Sequence, residues 1–121
     1  MTPMGIDGKP SLPGIDWSRG LRYAAGNQAL YIRFLKRFPE DRNMENLALA
    51  LSCGDMESAF VCAHTLKGLS MQLGIETLSG PASALCELLR PRNAAVLPQA
   101  LALCAQLQAL HAQVVCAIQQ L

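Results

Sequence analysis

Apolar residues recur at spacings of three and four along most of the chain, which is the period of amphipathic helices. Pro39 interrupts this pattern, because proline lacks an amide donor and disfavours helix at the preceding residue. The pattern predicts a short helix from Asp16 to about Ala25, a second from Asn27 to Ser52 with a kink or break near residues 38–41, a third over residues 55–73, a fourth over about 77–90, and a long last helix from near Asn93. We therefore predict an all-α fold, an antiparallel up-down four-helix bundle with an additional short N-terminal helix.

Glycines, prolines and capping side chains mark the ends of these helices. Gly54 ends the second helix, Asp55 can cap the third, and Gly74 ends it. Pro81 lies near the fourth position of the next helix, where an amide donor is not needed. Residues 1–14 are rich in proline and glycine, so we interpret them as a linker or N-terminal arm before a bundle domain over residues 15–121.

The composition limits the classes of partner. The 121 residues are 51% hydrophobic and 16% charged, which suits one domain with one core. A net charge of +1 and few aromatic residues disfavour binding to nucleic acid. No apolar stretch approaches the ~20 residues of a membrane span, and the first residues lack the charged and apolar regions of a signal peptide, so we expect no membrane contact and a cytoplasmic location. Five cysteines without a Cys-x-x-Cys pair are interpreted as small core residues in a reducing compartment rather than zinc ligands.

The helix predicted over residues 55–73 has two unlike faces when its residues are placed at about 100° intervals. One face is an apolar stripe that we expect in the core, formed by Ala59, Cys62, Leu66, Leu69 and Leu73. His64 lies on the opposite face, with Lys67 and Gly68 three and four residues on and Glu57 beside it. That face should be polar in a soluble bundle, yet it also carries Phe60, Val61 and Met71. It indicates a reactive imidazole within a docking surface, although Phe60 and Met71 would also suit a seam between helices.

The residues around His64 suit phosphoryl transfer. A neutral imidazole has a free nitrogen lone pair and an ordinary pKa near ~6.5, so it can accept and release a phosphoryl group at neutral pH. Lys67 can pair with phosphate oxygens as a point charge, and Gln72 at the margin of the face could hydrogen-bond to them. A glycine in mid-helix costs about 1 kcal/mol relative to alanine, so we interpret Gly68 as the residue that keeps access to the imidazole open.

The segment His64-Thr65-Leu66-Lys67-Gly68, followed by Gly74 and Leu78, resembles the His-x-Leu-Lys-Gly signature of histidine phosphotransfer (Hpt) domains. Other segments sit where that family has similar residues: Pro13-Gly14-Ile15-Asp16, Gly20-Leu21, Leu30-Tyr31 and Cys53-Gly54-Asp55. The resemblance covers nearly the whole chain from Leu12. It implies a phosphoryl carrier of a bacterial two-component phosphorelay, not an enzyme, similar to the C-terminal Hpt domain of hybrid sensor histidine kinases.

The resemblance also implies the reaction partners. His64 would take the phosphoryl group from an aspartate of one receiver domain, through its Nε2 atom, and pass it to an aspartate of a response regulator. The Mg²⁺ that neutralises charge in phosphoryl transfer would come from the receiver domain, because no carboxylate cluster accompanies His64. We therefore expect no metal site and no cofactor on this chain. A parent protein could be a membrane-anchored sensor kinase with this domain at its cytoplasmic end.

One position departs from the family pattern. The residue 22 positions after the histidine is often Glu or Gln in Hpt domains, and it accepts a hydrogen bond from Nδ1–H that leaves Nε2 free. Here that residue is Cys86, at best a weak acceptor. Ser83, one turn earlier, could take its place, and Arg90, one turn later, could approach the site. The residue that orients the imidazole is therefore an open question.

Two other functions remain open from the sequence. One is a helical module that binds a partner without being phosphorylated, and the other is an enzyme that uses His64 as a general base. The enzyme is disfavoured because no paired nucleophile and no acidic residue at a telling spacing accompany His64. The second histidine, His111, is followed at the same spacings by Val114 and Val115, so we expect it to be structural or solvated.

Overall fold

The computed structural model describes residues 14–121, so the predicted arm over residues 1–14 lies outside the described residues except for Gly14. Six α-helices span this part of the chain: α1 (Trp17–Tyr23), α2 (Gln28–Arg37), α3 (Asn43–Ser52), α4 (Met56–Gln72), α5 (Glu76–Leu89) and α6 (Leu97–Gln119). Short 3-10 turns at Phe38–Glu40 and Ala94–Val96 precede α3 and α6. The only β pairing within residues 14–121 is a single bridge between Ile15 and Ile75. The all-α fold class is confirmed.

Helices α3 to α6 contact one another in a closed order. α4 packs against α3 and α5, and α6 packs against α5 and α3. The connections from α3 to α4 and from α4 to α5 are short, at residues 53–55 and 73–75. This order is the one that an up-down four-helix bundle requires, and the antiparallel direction of its members stays a prediction.

The helix ends follow the predicted capping residues. The side chains of Asp16 and Asp55 accept hydrogen bonds from the backbone N–H of Arg19 and Ser58, at 3.1 and 3.0 Å. Gly54, which follows α3, has a φ of +70°, a left-handed conformation that glycine adopts without steric cost. These local interactions fix where α4 begins and therefore which of its residues face the core.

Pro39 and Pro81 affect their helices differently. Pro39 lies in the 3-10 turn between α2 and α3, so the predicted break is confirmed. The prediction for Pro81 is wrong, because α5 begins at Glu76 and places Pro81 inside the helix. The missing amide therefore removes one internal hydrogen bond, to the carbonyl of Thr77, and the burial of the apolar face of α5 maintains the helix around it.

The start of the domain is attached to the α4–α5 connection. The backbone N–H of Asp16 donates to the Gly74 carbonyl at 2.6 Å, and the N–H of Thr77 donates to the Gly14 carbonyl at 3.1 Å. A Cβ at Gly74 would lie 2.2 Å from the Asp16 carbonyl oxygen, and Gly74 also has a φ of +71°. Glycine is therefore required at position 74 for both conformation and close approach.

An aromatic pair helps to pack α1 and α2 against the end of α4. Trp17 and Tyr31 pack edge to face with ring centroids 4.9 Å apart, so Trp17 packs at this end of the bundle. The fully buried Tyr31 hydroxyl donates to the Leu73 carbonyl at 2.5 Å. Burial raises the pKa of Tyr31 above its ordinary value, with a smaller contribution from the charge of Asp16. The hydroxyl therefore stays protonated and available as a donor.

α6 departs from its apolar pattern in two ways. Spacings of three and four place Leu101 on one stripe with Leu97 and Cys104, yet Leu101 is 44% exposed and Ala100 is fully buried instead. Residues 94–119 are also long and apolar enough to cross a membrane by length and composition alone, with a mean hydropathy of 1.6 over the best window. The expectation that no apolar stretch reaches this length is wrong for this segment, because scattered glutamines interrupt its apolar runs in the sequence. Its buried positions, which include Cys104 and Leu107, lie in the core of the fold, where α6 packs against α3 and α5.

The cysteines do not share one environment. Cys86 and Cys104 are buried and Cys62 is half-buried, as expected of core residues. The interpretation as core residues is wrong for Cys53 and Cys116, which are exposed. Cys53 follows the last residue of α3 and Cys116 lies on the outer side of α6, so an apolar neighbourhood in sequence did not imply burial.

Candidate functional site

The outer face of α4 carries the predicted site. The helix buries residues at alternating spacings of three and four: Met56, Ala59, Ala63, Leu66 and Ser70. His64 is exposed on the other side, and Lys67 and Gly68 are half-exposed beside it. Of the predicted core stripe, Cys62 and Leu69 are only half-buried, because the buried line passes through Ala63 and Ser70 instead. The histidine is therefore held by a rigid, packed helix and open to solvent.

Gly68 has no structural partner on this face. A Cβ built on it would meet no other heavy atom within 4 Å apart from its own helix and chain neighbours. Its φ lies outside the left-handed region, so the backbone does not require glycine either. Packing within residues 14–121 therefore gives no reason for a glycine at this position, which costs helix stability.

The three apolar residues predicted for docking separate into two groups. Val61 and Met71 are 52% and 44% exposed, and they rank among the large hydrophobic side chains left open in the described residues. Phe60 is half-buried and packs against the edge of the core. Its ring lies beside the imidazole, with centroids 5.9 Å apart and planes tilted by 38°. Phe60 therefore contacts His64 directly, one turn earlier on the same helix.

Two arginines from the end of α5 approach Phe60. The Cζ atom of Arg92 lies 3.7 Å from the Phe60 ring centroid, and that of Arg90 lies 5.5 Å away. Arg92 also donates from Nε to the Glu57 carboxylate at 2.9 Å and from Nη1 to the Arg90 carbonyl at 2.6 Å. Glu57, Phe60, His64 and Arg92 thus form a continuous row of contacts, which we call the arginine–phenylalanine stack.

Arg92 was not predicted from the sequence. Its φ is +53°, a left-handed conformation uncommon for a residue other than glycine, and its N–H donates to the Leu89 carbonyl just after α5 ends. No sequence signal marks it, because it follows Pro91 in a polar connection that reads as an ordinary loop. Only the fold brings this connection against α4, 35 residues away from Glu57.

The charged groups around His64 are mostly paired. Arg90 binds the Glu87 carboxylate through two nitrogens, at 2.7 and 3.2 Å. The hydrogen bonds and then the charge of Arg90 hold the pKa of Glu87 below its usual range, and the charge of Lys67 adds to this effect. Lys67 itself makes no ion pair within residues 14–121, unlike Arg90 and Arg92. Of these three cations, Lys67 has its ammonium group free of other side chains in the described structure.

The predicted hydrogen-bonding partners of the ring do not engage it. Cys86 is fully buried in the core and Ser83 is half-buried; Gln72, which was predicted to hydrogen-bond to phosphate rather than to the ring, is exposed. In the described part of the chain no hydrogen bond joins the His64 ring to any of these residues, and its one ring contact is Phe60. The structure thus brings Phe60, Arg90 and Arg92 to His64 or its neighbour and leaves the orienting hydrogen bond unmade.

Other features of the described residues lie away from His64. A cleft of about 330 Å³ opens between α2 and the end of α4; it is lined by Tyr23, Phe34, Arg37, Phe38, Glu40, Asp41, Leu69 and Leu73. No group of three or more histidine, cysteine or acidic side chains within residues 14–121 could hold a metal ion. His111 packs against the ring of Phe38, with centroids 5.4 Å apart.

The comparison with known proteins gives one result. No curated protein and no solved structure matches the chain. The family described as the Hpt domain matches residues 29–115, which include all of α3, α4 and α5 and therefore the whole His64 face. This match covers well over half of the 121 residues, so the chain belongs to the Hpt domain family, whose members are phosphoryl carriers of two-component phosphorelays.

Proposed function

We propose that His64 is the phosphorylated residue of this Hpt domain. It accepts a phosphoryl group from the aspartyl phosphate of a receiver domain and passes it to the aspartate of a response regulator. The observation that carries this proposal is the placement of His64, which is exposed on a packed helix beside Lys67 and Gly68. The other histidine, His111, is partly buried against Phe38 and has no such neighbours.

The chemistry requires no group beyond the two partners. The lone pair on Nε2 of the neutral imidazole attacks phosphorus, the bond to the carboxylate oxygen breaks, and the aspartate leaves with that electron pair. The Nδ1 proton stays on the ring, so the phosphorylated imidazole carries the positive charge until transfer to the next aspartate reverses the step. Lys67 supports this proposal, because its ammonium group is free within the described residues to pair with phosphate oxygens.

The surroundings suit a receiver domain as partner. Exposed Val61 and Met71 offer apolar area beside the nucleophile, and the open position at Gly68 lets a partner backbone approach the ring. The Mg²⁺ used in phosphoryl transfer would be held by the acidic site of the receiver domain. The domain would act in the cytoplasm as a carrier without kinase activity of its own, and a parent chain could be a hybrid sensor kinase.

The test compares the two histidines. The full chain is mixed with receiver domains that carry radiolabelled aspartyl phosphate, and uptake of label is followed by gel electrophoresis. We expect wild type and His111→Gln to take up label that is lost in acid and kept in alkali, as a phosphohistidine should be, and His64→Gln to take up none. Label on His64→Gln, or no label on wild type with every receiver of the host genome, would overturn the proposal.

A non-phosphorylated interaction module is the second candidate, supported by the exposed Val61 and Met71 alone. It predicts that wild type and His64→Gln bind a receiver domain equally and that neither becomes labelled. The labelling experiment therefore separates the two functions directly.

A further inference from the structure

The imidazole of His64 must be held in one orientation for in-line attack, yet no hydrogen bond within residues 14–121 holds it. The position at which the family often provides an acceptor is Cys86, which is fully buried. The one aromatic side chain that packs beside the ring in the described structure is Phe60. Orientation of the nucleophile therefore depends on how firmly Phe60 is itself held.

We infer that Arg92 is a positioning residue for His64 and acts through the ring of Phe60. This inference rests on the proposed function of His64. The guanidinium carbon lies 3.7 Å from the ring centroid, the distance of a close cation–π stack, and it covers one face of the half-buried ring. With the guanidinium against it, Phe60 loses the freedom to change rotamer, and it then restricts the rotation of the imidazole beside it.

The guanidinium is fixed on two sides. Glu57 binds Nε at 2.9 Å, and the Arg90 carbonyl binds Nη1 at 2.6 Å, so the planar group cannot rotate away from the ring. Glu57 and Phe60 both belong to α4, and Arg92 belongs to the connection after α5. The stack therefore joins two chain segments, and it aligns Arg92 with the helix that carries the nucleophile.

The backbone at Arg92 supports the same conclusion. A left-handed conformation in a residue other than glycine costs of order 1 kcal/mol and persists only where the surroundings hold it. The next residue, Asn93, and the turn that follows give no reason for this conformation, since Asn93 caps that turn with its own side chain. The cost is offset by the hydrogen bond from the Arg92 N–H to the Leu89 carbonyl, which closes the turn after α5, together with the contacts of the guanidinium with Glu57, Phe60 and the Arg90 carbonyl.

The arrangement argues against direct phosphate binding by Arg92. Its guanidinium already donates to two oxygens and covers the Phe60 ring, whereas Lys67 makes no ion pair within residues 14–121. A cation used for docking would change the receiver concentration needed for half-maximal transfer, whereas a positioning residue changes the maximal rate of transfer. A cation that bound the phosphoryl group in the transition state would also change the maximal rate, but its removal would leave the environment of the His64 ring unaltered.

The test measures single-turnover transfer from a phosphorylated receiver over a range of receiver concentrations. Arg92→Met keeps an apolar stem and removes the guanidinium. We expect its maximal transfer rate constant to fall about tenfold, with less than about twofold change in the half-saturating receiver concentration. Arg92→Lys should recover part of the rate, because it keeps a cation near the ring but lacks the planar fork. Arg42→Met is the matched control, since Arg42 is paired with Glu45 at 2.9 Å on the surface of α3.

A second readout follows the ring itself. In wild type, the carbon-bound protons of His64 should show a ring-current shift from Phe60 in the NMR spectrum, and Arg92→Met should reduce it while leaving the amide spectrum of the core unchanged. Glu57→Gln, which loosens the guanidinium without removing it, should give the same two changes at about a third of the size. It provides the test if Arg92→Met fails to fold.

The outcomes separate the two proposals. An unlabelled wild type overturns the proposed function itself, whatever Arg92 does. An active wild type with Arg92→Met at the wild-type maximal rate overturns the positioning role. The same holds if Arg92→Met only raises the half-saturating concentration, in a way that added salt abolishes, because Arg92 would then act in docking. The transfer rate constant of Cys86→Ala should stay within about twofold of that of wild type. A larger loss would show that Cys86, and not Phe60 with Arg92, orients the imidazole.

Discussion

Gly68 offers the sharpest test of what shapes the His64 face. Its Cβ position is empty within the described structure, and its backbone conformation is open to any residue. Alanine in mid-helix is more stable than glycine by about 1 kcal/mol, so Gly68→Ala should stabilise the domain by nearly that amount. For a domain of this size the gain corresponds to a rise in melting temperature of roughly 4 °C. Glutamine has nearly the helix propensity of alanine, so Gly68→Gln should also melt at or above the wild-type temperature.

The same substitutions should slow phosphoryl transfer, because the added side chain lies where a receiver domain must approach. Forcing extra atoms into a close-packed contact costs ~1–3 kcal/mol, which corresponds to a loss of roughly 5- to 150-fold in transfer efficiency. We expect Gly68→Gln to lie near the upper part of that range and Gly68→Ala near the lower part. Thermal unfolding and single-turnover labelling, measured on the same samples, provide the two numbers.

Gly80 in α5 is the matched control. Its Cβ position is also empty, and it is exposed in a helix that does not carry the nucleophile. Gly80→Ala should leave transfer unchanged, although its gain in stability should be smaller because it precedes Pro81. The reasoning is refuted if Gly68→Gln transfers at the wild-type rate, since access would then not explain the glycine. A lower melting temperature for Gly68→Ala would refute the claim that the position is open.

Two further predictions concern the scaffold. Gly20→Ala should destabilise the domain by about 1–3 kcal/mol in chemical denaturation, because its Cβ would lie within 2.2 Å of the buried Tyr31 ring. Gly26→Ala is the control, because Gly26 has a φ of +80° but no neighbour within 4 Å, so this variant introduces backbone strain without a packing clash. Burial lowers the pKa of His111 below its ordinary value, and the charge of Asp41 opposes this effect in part. The unfolded chain therefore binds a proton at His111 more readily than the folded domain does. The free energy of unfolding should fall as the pH drops through about 6.5. His111→Gln should flatten the melting temperature between pH 7.5 and 5.5, and an unchanged slope would contradict this assignment.

The helices and the exposed position of His64 could be predicted from the sequence because both depend on local pattern. The caps at Asp16 and Asp55 and the break at Pro39 act over a few residues, so periodicity and capping rules suffice to find them. The error at Pro81 came from its position, because Pro81 is the sixth residue of α5, beyond the first turn in which amide donors have no partner in the helix. The errors at Leu101 and Cys116 have another cause, since an uncharged helix such as α6 carries little information about which side faces the core.

The surroundings of His64 could be predicted only in part. Lys67 and Gly68 lie on the same helix, and their spacing from the histidine is fixed by the helix itself. Arg92 lies in a connection whose position depends on how α5 packs against α4, and its left-handed backbone has no sequence mark. Contacts between distant segments, such as that of Arg92 with Glu57, therefore required the fold.

The attachment of Gly14 and Asp16 to the α4–α5 connection has a consequence for intramolecular transfer. Their backbone hydrogen bonds to Thr77 and Gly74 fix the point at which the chain enters the domain. Gly74 follows His64 by ten residues, so the entry point held against it lies about 15 Å from the histidine along the direction of α4. A receiver domain fused ahead of Gly14 would meet the imidazole at an effective concentration set by how well its linker spans this distance, near the millimolar range for a short flexible linker of matching length. Linker length would then tune the rate of transfer without any change in the surfaces that meet.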